Sequence, residues 1–297
     1  MRILMTGTTG FIGSRLLETA CKIYGADNVI ALSSRPNENC LNTIIYDRTD
    51  FHISEDDFSR LDSVEVVVHV GAFIPKAAID ANDLEGCNGN IDFTKKLLKL
   101  PFKRLKRVIY LSTVDVYTAV ETISELTPTM PQTLYGHSKL YCEKMIAAYC
   151  EQKNVESLIL RIGHVYGPGE EAYLKFLPKA IQRIVNDEYV ELWGDGSELR
   201  SLIYIEDVIQ GVLRAFELEN YIDVINIVGG NPISIRELLN LLIKISGKSV
   251  EVNMHEFKGV KRDLVFDNTR FKEYLEVQET SLLEGLTLEY NHMKNLK

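Results

Sequence analysis

The chain is short of several features that would each mark a class of protein. Positive charge is in deficit: 33 Lys and Arg stand against 42 Asp and Glu in 297 residues, a formal net charge of −9. That balance argues against a nucleic-acid partner and against docking on an anionic membrane surface. It still permits a phosphorylated small molecule, which needs only a few well-placed arginines. No apolar run approaches the roughly 20 residues that span a bilayer. The five cysteines, at positions 21, 40, 87, 142 and 150, form no CxxC pair, so they read as scattered thiols in a reducing compartment, with no metal site expected. Repeats and low-complexity tracts are missing. The apolar run Ile3-Leu4-Met5 starts too early to leave room for a signal peptide, so a cytoplasmic protein is expected.

What remains is ordinary globular composition, 45% apolar and 25% charged, in a chain long enough for one large or two small domains. Nearly continuous apolar runs at Ile3–Met5, Val29–Leu32, Val66–Val70, Val108–Leu111 and Ser157–Leu160 read as buried parallel strands. Helical patterns lie between them near 11–24, 83–99 and 135–152. This alternation predicts an α/β fold with a doubly wound parallel sheet. Past Tyr166-Gly167-Pro168-Gly169 the alternation weakens. The stretch 173–187 is amphipathic, and 234–246 opens with Ser234 and Glu237 in a capping-box spacing. Ser201–Glu217 again reads as strand then helix.

Two motifs carry chemistry. The chain opens Thr6-Gly7-Thr8-Thr9-Gly10-Phe11-Ile12-Gly13 directly after the first apolar run. Gly7 suits a tight turn, Gly10 lets backbone approach a pyrophosphate, and Gly13 lets the next helix pack close to the strand. The N-terminus of a helix beginning near Phe11 would present free N–H groups to the phosphates. The spacing is G-x-x-G-x-x-G, distinct from the common G-x-G-x-x-G. Much later, Tyr135-Gly136-His137-Ser138-Lys139 sets a phenol and an ammonium one helical turn apart on one face. Together they describe a dinucleotide site and an acid/base that moves a proton while a hydride moves. A tyrosine is a poor base at neutral pH, so the ammonium is expected to lower the phenol's pKa. At the end of the second strand, Ser33-Ser34-Arg35 offers hydroxyls and a guanidinium where a carboxylate would select NAD. NADP is the expected cofactor, with NAD the alternative if Arg35 is merely solvated.

These segments resemble the extended short-chain dehydrogenase/reductases, the NAD(P)-dependent nucleotide-sugar epimerases, dehydratases and reductases. Further matching segments follow in the family's order. They are Val68-His69-Val70-Gly71-Ala72, Asn90 with Thr94, Leu111-Ser112-Thr113 with Val116-Tyr117, Leu160-Arg161 with Val165-Tyr166-Gly167-Pro168, Arg200-to-Asp207, and Arg262-Asp263. The resemblance covers nearly the whole chain. It implies a Rossmann domain of 1–165 and about 201–228, with a smaller discontinuous α/β substrate domain of about 166–200 and 229–297. It also implies a homodimer through the helices near 83–99 and 135–152, with Leu98, Met145 and Ala148 offering apolar contact.

The resemblance assigns roles residue by residue. Tyr135 exchanges the proton of a sugar hydroxyl, Thr113 bonds the same oxygen, and Lys139 also holds the cofactor ribose. Ser112 is an alternative to Thr113. The dinucleotide is expected against Gly7, Thr9, Gly10, Phe11, Ile12, Gly13, Gly71 and Ala72. Asp47 would reach the adenine and Asn90 the nicotinamide side, unless either is a turn or cap residue. Arg200 and Arg262 match arginines that hold a substrate diphosphate, the alternative being surface positions. Three departures stand out. His164 replaces the family's asparagine, so it either contacts substrate or is a core or loop histidine. Thr118 replaces a glycine after Val116-Tyr117. Asp115 stands where 4,6-dehydratases carry a glutamate, and is either catalytic or a turn cap. The missing acid after Leu32 tilts the reading toward a 4-keto sugar reductase over a 4-epimerase or 4,6-dehydratase. A cofactor-sensing regulator without turnover would be expected to lose the Tyr135/Lys139 pair, which is intact.

Overall fold

The computed structural model describes residues 1–36, 40, 42–47, 49–219, 222–259 and 261–296. Its strands are β1 (Ile3–Thr6), β2 (Val29–Ser33), β3 (Thr43–Ile45), β4 (Val66–His69), β5 (Arg107–Thr113) and β6 (Glu156–Ile162). They continue as β7 (His164–Tyr166), β8 (Val190–Trp193), β9 (Leu199–Tyr204), β10 (Val224–Ile227), β11 (Pro232–Ser234) and β12 (Val252–His255). The helices are α1 (Phe11–Tyr24), α2 (Glu55–Leu61), α3 (Leu84–Leu98), α4 (Leu134–Lys153) and α5 (Phe176–Val185). After them come α6 (Ile205–Phe216), α7 (Ile235–Ser246), α8 (Thr269–Leu275) and α9 (Leu282–Asn295).

Seven strands form one parallel sheet in the order β10-β6-β5-β4-β1-β2-β3. Their side chains alternate between two cores, as the two-residue period of a strand requires. Ile3, Met5, Val29, Ala31, Val68, Ile109 and Leu160 enter one core together with Leu16 and Leu17 of α1 and Val208 and Val212 of α6. Leu4, Ile30, Leu32, Val67, Val108, Tyr110 and Ile159 enter the other with Leu97 of α3 and Ile146 of α4. Helices therefore cover both faces, which is the doubly wound Rossmann-type arrangement expected from the apolar runs. The chain builds outward from β1 to β3, then returns to build β4, β5 and β6 on the other side. This reversal opens a crevice at the C-terminal ends of β1 and β4.

Strand β4 stops at His69, one residue short of the expected Val70, because Gly71 N leaves the ladder to donate to Thr6 Oγ1 at 2.9 Å. The short elements β3 and α2 escape sequence reading. Three strand residues carry no period, and α2 holds through its Ser54 cap and the acids Glu55, Asp56 and Asp57 in its first turn. The capping box of Ser234 and Glu237 is formed at the start of α7. Strand β9 pairs in parallel with β7 and antiparallel with β11, while α6, which follows it, packs on α1. A separate parallel pair, β8 and β12, lies beyond, and α5, α7 and α9 pack on one another. Among the described residues no helix is long and apolar enough to cross a membrane.

Candidate active site

The crevice is a cavity of about 860 Å³. One wall is the turn after β1. Gly7 has a φ of +68°, and a Cβ there would lie 2.5 Å from Gly71 N; a Cβ on Gly13 would lie 2.1 Å from Gly7 O. No other residue type fits either place. Gly10 caps α1 without a side-chain bond, and the first turn of α1 holds no acid. The helix thus offers free N–H groups and a positive dipole end to the cavity, beside Thr9, Phe11, Ile12, Gly71 and Ala72. A cradle of close-approaching glycine backbone at an uncapped helix start fits a dinucleotide pyrophosphate.

Behind this wall a buried chain of bonds holds the turn. Thr6 Oγ1 meets His69 Nδ1, and His69 Nε2 meets Thr94 Oγ1, both at 2.9 Å. Thr94 Oγ1 donates to Asn90 O, so it accepts from His69 Nε2–H, and Nδ1 accepts from Thr6. Burial, helped by the Lys139 charge, pushes the His69 pKa down to about 3, so the ring stays neutral.

The opposite wall comes from the ends of β5 and β6 and the start of α4. Thr133 caps α4 by accepting from Gly136 N at 3.2 Å, which sets Tyr135 in the first turn. Tyr135, Lys139, Ser112, Thr113 and Asp115 all line the cavity. Thr113 lies close enough to the Tyr135 phenol to pull its pKa down against the burial that raises it. Lys139 Nζ donates to Leu111 O at 2.6 Å and lies 4.3 Å from the centre of the Tyr110 ring. Burial draws its pKa down to about 8.

One expectation is overturned here. Lys139 does not lower the Tyr135 phenol, whose pKa is raised above its ordinary value, first by burial and then by the Asp115 carboxylate. The ammonium faces Leu111 O rather than the phenol oxygen. Asp115 is exposed toward the cavity, and its backbone N–H and its carboxylate both engage Thr113 Oγ1, at 3.2 and 3.3 Å.

The residues expected on the substrate side lie near one another. His164 opens β7 and lines the cavity, with an Nδ1 shielded from solvent and not hydrogen-bonded. Its pKa is lowered to about 4, chiefly by burial; Lys175, Arg200 and Arg262 push the same way and Asp115 opposes them. All four charged groups therefore face one ring. Arg200 Nη1 donates to Leu199 O and to Arg262 O, each at 2.8 Å. Neither arginine lines the cavity itself; they stand beyond its His164 end.

Other expected residues lie apart. Ser33, Ser34 and Arg35 are at and just past the end of β2, with Arg35 exposed, and Asp47 is exposed after β3. None of them lines the cavity. The Asp47 carboxylate accepts from the Thr49 backbone and hydroxyl, which lowers its pKa. Asn90 is buried, and its side-chain amide bonds both Phe73 N (2.6 Å) and Phe73 O (3.2 Å), so it clamps the loop after β4.

Sequence reasoning missed Tyr173, Lys175 and Lys76, all in the cavity wall. Leu174 N donates to Lys76 O at 3.0 Å, which ties the segment before α5 to the loop before α3 across the cavity. No local motif announces this crossing.

The chain is 28% identical over 313 residues to an uncharacterized UDP-glucose epimerase of Bacillus subtilis (strain 168), covering 100% of this chain and 99% of the relative. It is 26% identical to a dTDP-4-dehydro-6-deoxy-D-allose reductase of a Streptomyces species, covering 96% and 93%. Among solved structures, UDP-glucuronic acid 4-epimerase from Bacillus cereus, in complex with UDP-glucuronic acid and NAD, superposes with a TM-score of 0.84 at 28% identity over the whole of both chains. The NAD dependent epimerase/dehydratase family model matches residues 3–227, and this chain is an enzyme that belongs to that family.

Proposed function

We propose that the protein transfers a hydride at a ring carbon of a nucleotide-diphosphate sugar. The observation that carries this is the sharing of one cavity by the glycine turn of Gly7 to Gly13 and the Thr113, Tyr135 and Lys139 side chains. The dinucleotide, when bound, supplies the hydride acceptor or donor. Tyr135 gives or takes the proton of the sugar oxygen, and Thr113 holds that oxygen beside the phenol. Lys139, in the wall of the same cavity, brings a positive charge to the site and in this reading meets the cofactor ribose. In this reading Arg200 and Arg262, past His164, hold the diphosphate, and the hydrogen bond that joins Arg200 to the Arg262 backbone supports their acting together. Residues 166–200 and 229–297 would then make the substrate side, and 1–165 with 201–228 the cofactor side.

The absence of a carboxylate at Ser33, Ser34 and Arg35 supports NADP and net reduction of a 4-keto sugar. The likeness to the Bacillus cereus 4-epimerase with NAD supports a second reading, 4-epimerisation with retained NAD. Incubation with a panel of nucleotide sugars and their 4-keto forms, with and without NADPH, separates the two by mass spectrometry. Reduction dependent on added NADPH supports the first, and isomer exchange without added cofactor the second. No change in any sugar refutes both. A homodimer through α3 and α4 is part of this reading, and light scattering at micromolar concentration checks it.

A further inference from the structure

The end of β5 meets α4 through three consecutive residues. Leu111 O accepts from Lys139 Nζ, Ser112 Oγ donates to Glu143 Oε1 at 2.5 Å, and Thr113 meets the Tyr135 phenol. Tyr135, Lys139 and Glu143 are spaced by four, so they lie along one face of α4. The first two line the cavity, and Glu143 does not.

Glu143 is buried, and its carboxylate is fully engaged. Besides Ser112 it accepts from Arg161 Nε at 3.0 Å and Nη2 at 2.7 Å. Arg161, on β6, extends the contact. Its Nη1 donates to Tyr117 OH at 2.8 Å, and Tyr117 OH donates to Asn226 Oδ1 on β10 at 2.7 Å. Tyr117 ends the turn that carries Thr113 and Asp115. One buried carboxylate thus ties the helix of the acid/base pair to three strands and to the turn opposite. A buried ion pair of this kind adds little net stability over a well-packed apolar pair. Its geometry is demanding, because a bidentate fork accepts one orientation.

We propose that Glu143 is a positioning residue, fixing the rotation of α4 and the height of the Thr113–Tyr117 turn so that the Tyr135 phenol and the Lys139 ammonium reach the cavity together. The inference rests on the role given above to Tyr135 and Lys139. The charge also couples. Lys139 is faced by Glu143 and Cys142 from α4, by the Tyr110 ring from β5 and by neutral His69 from β4, with Arg161 of β6 behind Glu143. Of these, Glu143 and Cys142 raise the Lys139 pKa against its burial.

Glu143→Gln tests this with two readouts. In turnover of the nucleotide sugar, kcat should fall by about tenfold or more, while KM and cofactor Kd stay within about threefold. The alkaline limb of the pH profile should move to lower pH. Without any substrate, a titration of lysine labelled at 13Cε and followed by NMR should show the Lys139 midpoint moving to lower pH. Unchanged kcat, an unmoved midpoint, or a KM and Kd that rise as much as kcat falls would each overturn the proposal. If Glu143→Gln does not fold, Glu143→Asp takes its place. Its shorter carboxylate keeps the charge and loses Ser112, so kcat should fall with cofactor Kd unchanged, and wild-type kcat overturns the proposal. A wild-type protein inert toward every nucleotide sugar sinks the reading of the site, and the lysine midpoint then decides on Glu143 by itself.

Discussion

Arg200 Nη1 donates to the backbone carbonyl of Arg262 at 2.8 Å, across 62 positions of sequence. One guanidinium therefore holds the chain segment that presents the other. If both arginines hold a diphosphate, each contributes a charge-assisted contact of about 1.5–3 kcal/mol. Arg262→Ala should raise KM for the nucleotide sugar by one to two orders of magnitude, since about 1.4 kcal/mol is tenfold. Arg200→Ala should do the same, and the double variant should be less than additive because Arg200 also places Arg262. Cofactor affinity, read by calorimetry, should not change. A wild-type KM in either single variant refutes the assignment.

Tyr135→Phe should lower kcat by about a hundredfold or more while leaving cofactor binding near wild type. The Asp115 carboxylate is a cause of the raised phenol pKa, so its removal acts in the opposite direction. In Asp115→Asn the Tyr135 pKa should fall, and the limb of the pH–rate profile that tracks the phenol should move to lower pH. A limb that stays in place in this variant contradicts the placement of Asp115 beside the phenol.

Ser33→Asp should turn a preference for NADP(H) into one for NAD(H), because a carboxylate at the end of β2 repels a ribose 2′-phosphate. Equal affinity of the parent protein for the two cofactors, measured by calorimetry, would remove the basis of the prediction.

Buried titratable groups set opposite pH limits on stability. His69 has a folded pKa of about 3, below the ordinary imidazole value, so the unfolded chain binds the extra proton. Its contribution is full above about pH 6.5 and is lost as pH falls from there toward 3. Glu170 and Glu289 behave in reverse. Both are buried, and burial raises both pKa values; the neighbouring Glu170 carboxyl raises Glu289 further, while Lys175, the nearby cation, opposes the rise in each. Their contribution is full below the ordinary carboxylate pKa and is lost as pH rises through the raised values. Glu289→Gln should therefore raise Tm more at pH 8 than at pH 5. Thermal melts with an equal gain at both pH values would exclude the ionising pair.

Local patterns in the chain made the Gly7-to-Gly13 turn and the Tyr135/Lys139 pair legible. A glycine turn directly after an apolar run, and a phenol four residues before an ammonium, are properties of a few adjacent residues. The five apolar runs became strands for the same reason: each is long and continuous enough to have one interpretation. The three-residue strands β3, β7 and β11 have no such pattern and exist because longer neighbours hold them.

The sequence by itself determined a doubly wound sheet, a tight glycine turn between Gly7 and Gly13, and a phenol and an ammonium on one helix face, because these follow from strand period, helix spacing and glycine sterics. Only the tertiary structure decided the state of that pair. The burial of Tyr135 and its nearness to Asp115 raise the phenol's pKa, where spacing alone implied a fall. Tertiary structure also brought Lys175 and Tyr173 into the cavity wall, set Arg200 against Arg262, and closed Glu143 on Arg161. The reason is common to all of these. Desolvation and Coulomb effects depend on distances between segments, and no local pattern encodes a distance between residues far apart in the chain.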